Sequence, residues 1–100
     1  MEIKRTAVAG TLESSDIQII LSENKQRGIQ LEIKSQVIEQ FGEQIERVIR
    51  EVLKDYTITD AKVKVVDKGA LDCVIKARLT TAIHRSLGIE NSETPWEVNK

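Results

Sequence analysis

Two adjacent serines are the residues of this chain whose types and spacing most directly suggest covalent chemistry. Ser14 and Ser15 lie between Glu13 and Asp16, and a serine hydroxyl can act as a nucleophile or as the attachment point of a modification. A serine nucleophile needs a neighbouring general base. The chain has a single histidine, and its position gives no recognisable triad. The residues alone favour an exposed polar segment whose hydroxyls bond to nearby backbone.

The other two candidates for chemistry, Cys73 and His84, both fall in the second predicted helix. Cys73 lies among apolar residues, so we expect it to be buried and to pack as a small hydrophobic residue. His84 precedes Arg85 and lies off the apolar stripe of the helix, so we expect a solvent-exposed histidine. Walker, dinucleotide-binding and zinc motifs do not occur. The residues therefore predict a chain that is not an enzyme, with no catalytic residue and no metal ligand.

Composition excludes several further classes of protein. One hundred residues fit one domain with a modest core. The net charge is −1, with 15 basic and 16 acidic residues and no run of like charge, which argues against nucleic-acid and membrane-surface binding. One cysteine allows neither an intramolecular disulfide nor a cysteine-based zinc framework. The apolar stretches are too short for a membrane span or a signal peptide, and we expect a cytoplasmic protein.

Hydrophobic periodicity predicts a small α+β domain with the element order β-β-α-β-α. Residues 1–13 show no helical period and are interpreted as an arm or an edge strand. Three segments alternate apolar and polar residues as half-buried strands do: residues 17–21, 29–33 and 62–65. The polar loop that ends at Gly28 predicts a hairpin between the first two of these strands, and residues 67–69 predict a turn after the third.

Two amphipathic helices complete the predicted domain. Apolar residues from Val37 to Tyr56 recur at helical spacing and include Phe41. Residues 71–79 fit either a strand or the start of a second helix; the helical stripe, which begins at Leu71, is longer, and Gly88 follows it where a C-terminal cap belongs. We predict a helix, and expect both helices to pack on one face of a short sheet.

The pleat of the first predicted strand distinguishes the two serines. If Ile17 faces the core and the strand extends back from it, Ser15 shares the core side. Ser14 then points outwards together with Asp16 and Gln18. Geometry therefore favours Ser14 as the hydroxyl that could be modified.

Two stretches of the sequence resemble a known family. They are AGTLESSD, at residues 9–16, and DKGALDCVI, at residues 67–75. Together with residues 1–8, which also match closely, and with less specific matches between and after the two stretches to about Arg85, they resemble the citrate lyase acyl carrier proteins, the gamma chains of that complex. Residues 1–88 are accordingly interpreted as one acyl carrier domain, whose N-terminal arm at residues 1–13 leads to the attachment motif. Residues 89–100 match nothing in the family and are predicted to form a mobile tail.

The resemblance implies a carrier without catalytic activity. In the family the first serine of the Glu-Ser-Ser-Asp motif, Ser14 here, bears 2′-(5″-triphosphoribosyl)-3′-dephospho-coenzyme A in phosphodiester linkage, added by a dedicated transferase. The group would hold acetyl and citryl thioesters while the alpha (acyl transferase) and beta (citryl lyase) subunits cleave citrate to acetate and oxaloacetate. The resemblance thus implies a cytoplasmic phosphoprotein of a citrate-fermenting, multi-subunit complex, binding neither nucleic acid nor membrane.

Three other functions are alternatives to the citrate lyase carrier. The first is the carrier of malonate decarboxylase, which resembles this family and uses the same kind of prosthetic group. The second is an unmodified α+β scaffold module, which composition and periodicity also allow. The third, an independent hydrolase using Ser14 or Cys73, lacks a base and ranks last.

Overall fold

The part of the chain that the structure describes folds into four strands and two helices in the order β-β-β-α-β-α. The computed structural model describes residues 3, 5–35 and 38–88. The α+β class is confirmed, and the predicted order lacked one strand. The additional strand lies in the segment interpreted as an arm or an edge strand, whereas the predicted tail at residues 89–100 lies outside the described residues. The elements are β1 (Ala7–Gly10), β2 (Ile17–Ser22), β3 (Ile29–Ser35), α1 (Ile38–Asp55), β4 (Ala61–Asp67) and α2 (Asp72–Leu87).

The four strands form one mixed sheet in the order β1-β2-β4-β3. β1 pairs antiparallel with β2, β2 pairs antiparallel with β4, and β3 pairs parallel with β4. The predicted hairpin between residues 17–21 and 29–33 is therefore wrong, because β4 lies between those two strands. β1 occupies one edge of the sheet, as the edge-strand interpretation required.

The loop between β2 and β3 is directed to β4 by specific hydrogen bonds. The buried Asn24 side chain donates to the Gly28 carbonyl at 2.9 Å. That carbonyl also accepts a bond from the Ala61 backbone N–H, at the start of β4. Asp60 accepts a bond from the Gly28 N–H. These contacts place β3 beside β4, where the two strands pair from Ile29 and Ala61 onwards.

Both helices pack on one face of the sheet, as predicted. Alternate residues of β2 point into a single core, and Ile17, Ile19 and Leu21 are fully buried. The opposite face of the sheet carries polar residues with a few half-exposed apolar ones, and no described helix covers it. In α1 the predicted stripe is buried from Ile45 onwards, but Phe41, in the first turn, is 48% exposed.

Residues 71–79, which fitted either a strand or a helix, begin a helix. α2 runs from Asp72 to Leu87, and Gly88 ends it in the left-handed conformation at φ 72°. The cap N–H of Gly88 bonds back to the Arg85 and His84 carbonyls, as expected for a glycine cap. None of the helices in the described part of the chain is long and apolar enough to cross a membrane.

His84 is buried, contrary to the expectation of a solvent-exposed histidine. It is 6% exposed, and its Nε2 lies 2.6 Å from the hydroxyl of Tyr56, with the two rings edge to face at 5.5 Å. α2 contacts α1 as well as the sheet, so a position off the apolar stripe is covered by the neighbouring helix. The hydrogen bond satisfies both buried polar groups, which gives His84 a structural role.

Several chain segments meet at one end of the sheet. Ile17 at the start of β2 pairs with Asp67 at the end of β4, and Asp67 pairs with Ser35 at the end of β3. The β1–β2 loop and the β4–α2 loop therefore lie side by side. The first turns of both helices follow from this same end, where the candidate functional residues are located.

Candidate functional site

The two serines lie in a short loop between β1 and β2, which we call the serine loop (residues 11–16). Both side chains are exposed. The loop begins after Gly10 at φ 91° and turns at Ser15, whose φ of 64° lies in the left-handed region. β2 begins at Ile17, so the strand does not extend back through the serines. The prediction that the strand pleat turns Ser15 towards the core is therefore wrong, and exposure alone does not separate the two hydroxyls.

Asp16 is buried, and it holds the serine loop in place. Its carboxylate accepts a hydrogen bond from the Thr11 hydroxyl at 2.6 Å and another from the Ile17 backbone N–H at 2.7 Å. It also accepts both arms of the Arg78 guanidinium, from Nε at 3.1 Å and from Nη2 at 2.9 Å. Such a paired guanidinium bond to a carboxylate fixes geometry as well as charge. The first and last residues of the loop are thereby tied to each other and to α2.

The same contacts set the ionisation of Asp16. The hydrogen bond from Arg78, followed by those from Thr11 and the Ile17 N–H, holds the pKa of the Asp16 carboxyl well below its usual range. The carboxylate is therefore charged at every physiological pH. The strand alternation predicted that this side chain faces outwards; because its partner Arg78 lies 62 residues away, no local pattern indicated the pair.

A pH-dependent stability follows from this lowered pKa. A group whose pKa is depressed in the folded state contributes stability above its ordinary pKa, and loses that contribution as the pH falls towards the folded value. We expect Asp16→Asn to lower the melting temperature at about pH 7 and to flatten its decline between about pH 5 and pH 3. Thermal unfolding followed by circular dichroism across this range measures both effects.

A matched variant controls for the loss of one carboxylate. Asp55→Asn removes an exposed carboxylate from the end of α1, and we expect the acid decline of that variant to follow the wild type. An acid decline in Asp16→Asn as steep as that of the wild type would contradict the role given to the Arg78 contact.

The β4–α2 loop supports the serine loop from the side. The Ser15 N–H donates to the Lys68 carbonyl at 2.8 Å, and the Lys68 N–H donates to the Asp16 carbonyl at 2.9 Å. Asp67 accepts bonds from the Ala70 N–H at 3.0 Å and from the Ser35 hydroxyl at 2.8 Å. The predicted turn at residues 67–69 is thereby confirmed, and its backbone braces Ser15 and Asp16.

An apolar groove lies on the other side of the β4–α2 loop, between that loop and the first turns of both helices. We call it the α1–α2 groove; it has a volume of about 570 Å³ and is lined mainly by Phe41, Gln44, Ala70, Leu71 and Cys73. Leu71 is 70% exposed, whereas the helical periodicity predicted that it lies, like Phe41, on a core-facing stripe. Both residues precede the part of their helix that packs on the sheet.

Cys73 is exposed, so the expectation that it is buried is wrong. Ile75, Leu79, Ala82 and Ile83 form the buried stripe of α2. Cys73 precedes Ile75 by two residues, which is about 200° of helix rotation, and so it faces away from that stripe and into the groove. His84 lies about 16 Å further along the same helix, far from the serines. Within the described residues, no group of three His, Cys, Asp or Glu side chains could hold a metal ion.

The site fits a covalently attached group better than a catalytic reaction. Ser14 is exposed on a loop whose ends are fixed, so a bulky adduct on its hydroxyl would displace no core residue. A chain that presents a serine in this way can hold a tethered group at a defined point of its surface. The geometry allows the same at Ser15, although its backbone is already engaged with Lys68.

Comparison with known proteins shows similarity to acyl carrier proteins. Residues 4–86 match the family model described as ACP, malonate decarboxylase delta subunit (MdcD). The chain is 58% identical to the citrate lyase acyl carrier protein of Lactiplantibacillus plantarum and 57% identical to that of Oenococcus oeni, over 98% of this chain and 99% of each relative. It is 52% identical to the one from Streptococcus mutans, over 90% of this chain and 88% of the relative.

The fold has also been seen in solved structures. A chain of a Pseudomonas malonate decarboxylase hetero-tetramer in complex with malonate superposes with a TM-score of 0.66 at 14% identity, over 85% of this chain and 87% of that one. At this identity the likeness concerns the fold. The sequence relatives, in contrast, are close and match over nearly their whole length. The chain therefore belongs to the family of citrate lyase acyl carrier proteins.

Proposed function

We propose that this chain is the non-catalytic acyl carrier subunit of a cytoplasmic citrate lyase complex, with its prosthetic group attached through the hydroxyl of Ser14. The observation that carries the proposal is the exposed Ser14 on a loop held by the Asp16–Arg78 pair. Family membership supports the carrier role. We propose 2′-(5″-triphosphoribosyl)-3′-dephospho-coenzyme A as the group. Its thiol would carry acetyl and citryl units as thioesters.

The residues of this chain hold the attachment point and do no bond-breaking chemistry. The Asp16 carboxylate ties the two ends of the serine loop to each other and to α2, and the Lys68 backbone holds Ser15 and Asp16, so a flexible arm would pivot from a rigid base. A tethered carrier raises the effective concentration of its cargo at each partner site. We propose the alpha and beta subunits of citrate lyase as those partner sites, and a dedicated transferase as the enzyme that loads Ser14.

The test is the intact mass of the chain purified from its own host under citrate-fermenting conditions, with the modified peptide located by fragmentation. We expect a covalent adduct of the mass of the triphosphoribosyl-dephospho-coenzyme A group, on Ser14 and not on Ser15. An unmodified chain from cells with active citrate lyase would refute the carrier role and leave a scaffold module as the better explanation.

A second candidate function is the carrier of malonate decarboxylase, favoured by the name of the matching family model and by the fold shared with a malonate decarboxylase chain. Because the adduct mass would not separate the two functions, the loaded and acetylated chain should be mixed with purified enzyme subunits. We expect citrate cleavage with citrate lyase alpha and beta subunits, and no malonate decarboxylation with the decarboxylase subunits. The reverse pattern would assign the chain to the decarboxylase.

A further inference from the structure

A single residue, Lys68, lies between the α1–α2 groove and the loop that carries the proposed attachment point. The backbone of Lys68 pairs with Ser15 and Asp16 on one side, and the next residue, Gly69, lines the groove on the other. Paired backbones run about 5 Å apart. A flexible arm that begins at Ser14 therefore has only this narrow loop to cross before its far end meets the groove.

The groove exposes apolar surface that a folded monomer normally buries. Four large hydrophobic side chains are exposed among the described residues. Two of them, Phe41 and Leu71, line the groove, and a third, Leu12, lies in the serine loop itself. Large contiguous patches of exposed apolar side chains are rare on monomeric soluble proteins, and those that occur often mark binding surfaces. The apolar surface is thus concentrated at the end of the molecule that carries Ser14.

The size and charge of the groove indicate what it would accept. A volume of about 570 Å³ lies within the range of small-molecule sites. The charged side chains that line it are Asp67 and Asp72, both acidic; Asp67 accepts a bond from Ser35, and Asp72 accepts two from Gln44. An uncharged, mainly apolar occupant fits this lining, whereas carboxylates or phosphates would meet like charge.

We infer that the α1–α2 groove is a resting site for the uncharged thiol end of the chain's own prosthetic arm when that end carries a small neutral acyl group. The inference rests on the proposed function, since it requires an arm on Ser14. A short tether gives an effective concentration on the order of millimolar, so even a millimolar affinity would fill the groove for much of the time. Occupancy would shield the acyl thioester from water between visits to the partner subunits.

Cys73, the single cysteine of the chain, provides a direct probe because it is exposed and lines the groove. The arm thiol is capped with an acetyl group before loading, and intact mass verifies the adduct on Ser14. Iodoacetamide alkylation of Cys73 is then followed by mass spectrometry in the loaded and unloaded chains. If the arm fills the groove about two-thirds of the time, Cys73 is accessible for about the remaining third. We therefore expect alkylation of Cys73 to be about threefold slower in the acetyl-loaded chain than in the unloaded chain.

Two further comparisons test the occupant. A succinyl cap, which adds one carboxylate, should leave Cys73 as reactive as in the unloaded chain. Phe41→Gln should abolish the difference between loaded and unloaded chains, while Val8→Gln, which changes a similarly exposed residue on β1, should preserve it. Equal alkylation of the acetyl-loaded and unloaded chains, or equal protection by both caps, would overturn the inference.

The outcomes separate this inference from the proposed function. If no adduct forms on Ser14, the proposed function itself fails. If the adduct forms and Cys73 is protected only after citrate lyase subunits are added, the groove is a partner-docking surface and the resting-site inference is wrong, while the carrier role stands.

Discussion

Replacing Ser14 with alanine is expected to abolish covalent loading of the chain completely. The alanine lacks the hydroxyl that would form the phosphodiester bond, and we expect the transferase not to use the neighbouring Ser15 hydroxyl in its place. The measurement is the intact mass after incubation with the prosthetic-group precursor and the purified transferase. Because Ser14 is exposed and its side chain makes no hydrogen bond within the described part of the chain, we expect the melting temperature of Ser14→Ala to stay close to that of the wild type.

The matched control for Ser14 needs a different substitution. Ser15 has a positive φ of 64°, a conformation that costs alanine energy and costs glycine almost none. Ser15→Gly therefore removes the second hydroxyl and preserves the turn, and we expect it to be loaded to the wild-type extent. Loading of Ser14→Ala, or loss of loading in Ser15→Gly alone, would move the attachment point to Ser15.

Replacing Gly10 with alanine is expected to destabilise the fold more than any surface substitution. Gly10 has a φ of 91°, and a Cβ built on it would lie 1.8 Å from the Ile17 carbonyl oxygen. That oxygen belongs to the backbone of β2, so no side chain can move aside to relieve the clash. We expect a loss of about 4 kcal/mol in the free energy of unfolding, and a drop on the order of 20 °C in melting temperature for a domain of this size.

Gly28→Ala separates this clash from backbone strain. Gly28 has a nearly equal φ of 87°, and nothing lies within 4 Å of the position that a Cβ would take there, so the variant should lose only about 1–2 kcal/mol for the strained conformation. Urea unfolding of the two variants compares them directly. Equal losses in the two variants would show that β1 does not approach β2 as closely as described, and that the serine loop starts from a different geometry.

Local periodicity was sufficient for most of the elements. The alternation of Ile17, Ile19 and Leu21 predicted β2 and its buried side, because successive residues of a strand point to opposite faces of the sheet. The helical stripes predicted α1 and α2, and Gly88 predicted the end of α2. Each of these features depends on residues within about two turns of one another, so neighbouring side chains contain the required information.

Resemblance to a family indicated the chemistry that periodicity could not. Two serines between acidic residues are common in exposed segments, and composition alone favoured an unmodified strand lead-in. The Glu-Ser-Ser-Asp motif, together with the stretch at residues 67–75, identified the family. The structure then brought those two segments into contact through Ser15, Asp16 and Lys68.

The tertiary structure alone decided the features that depend on distant parts of the chain. Four such features were absent from the predictions or contrary to them. They are the insertion of β4 between β2 and β3, the burial of His84 against Tyr56, the exposure of Cys73 and the Asp16–Arg78 pair. Each depends on a contact between elements far apart in sequence, or on the side of an element that such a contact covers. Periodicity tells which side of a helix or strand is apolar; which neighbour covers each side depends on how all the elements pack together.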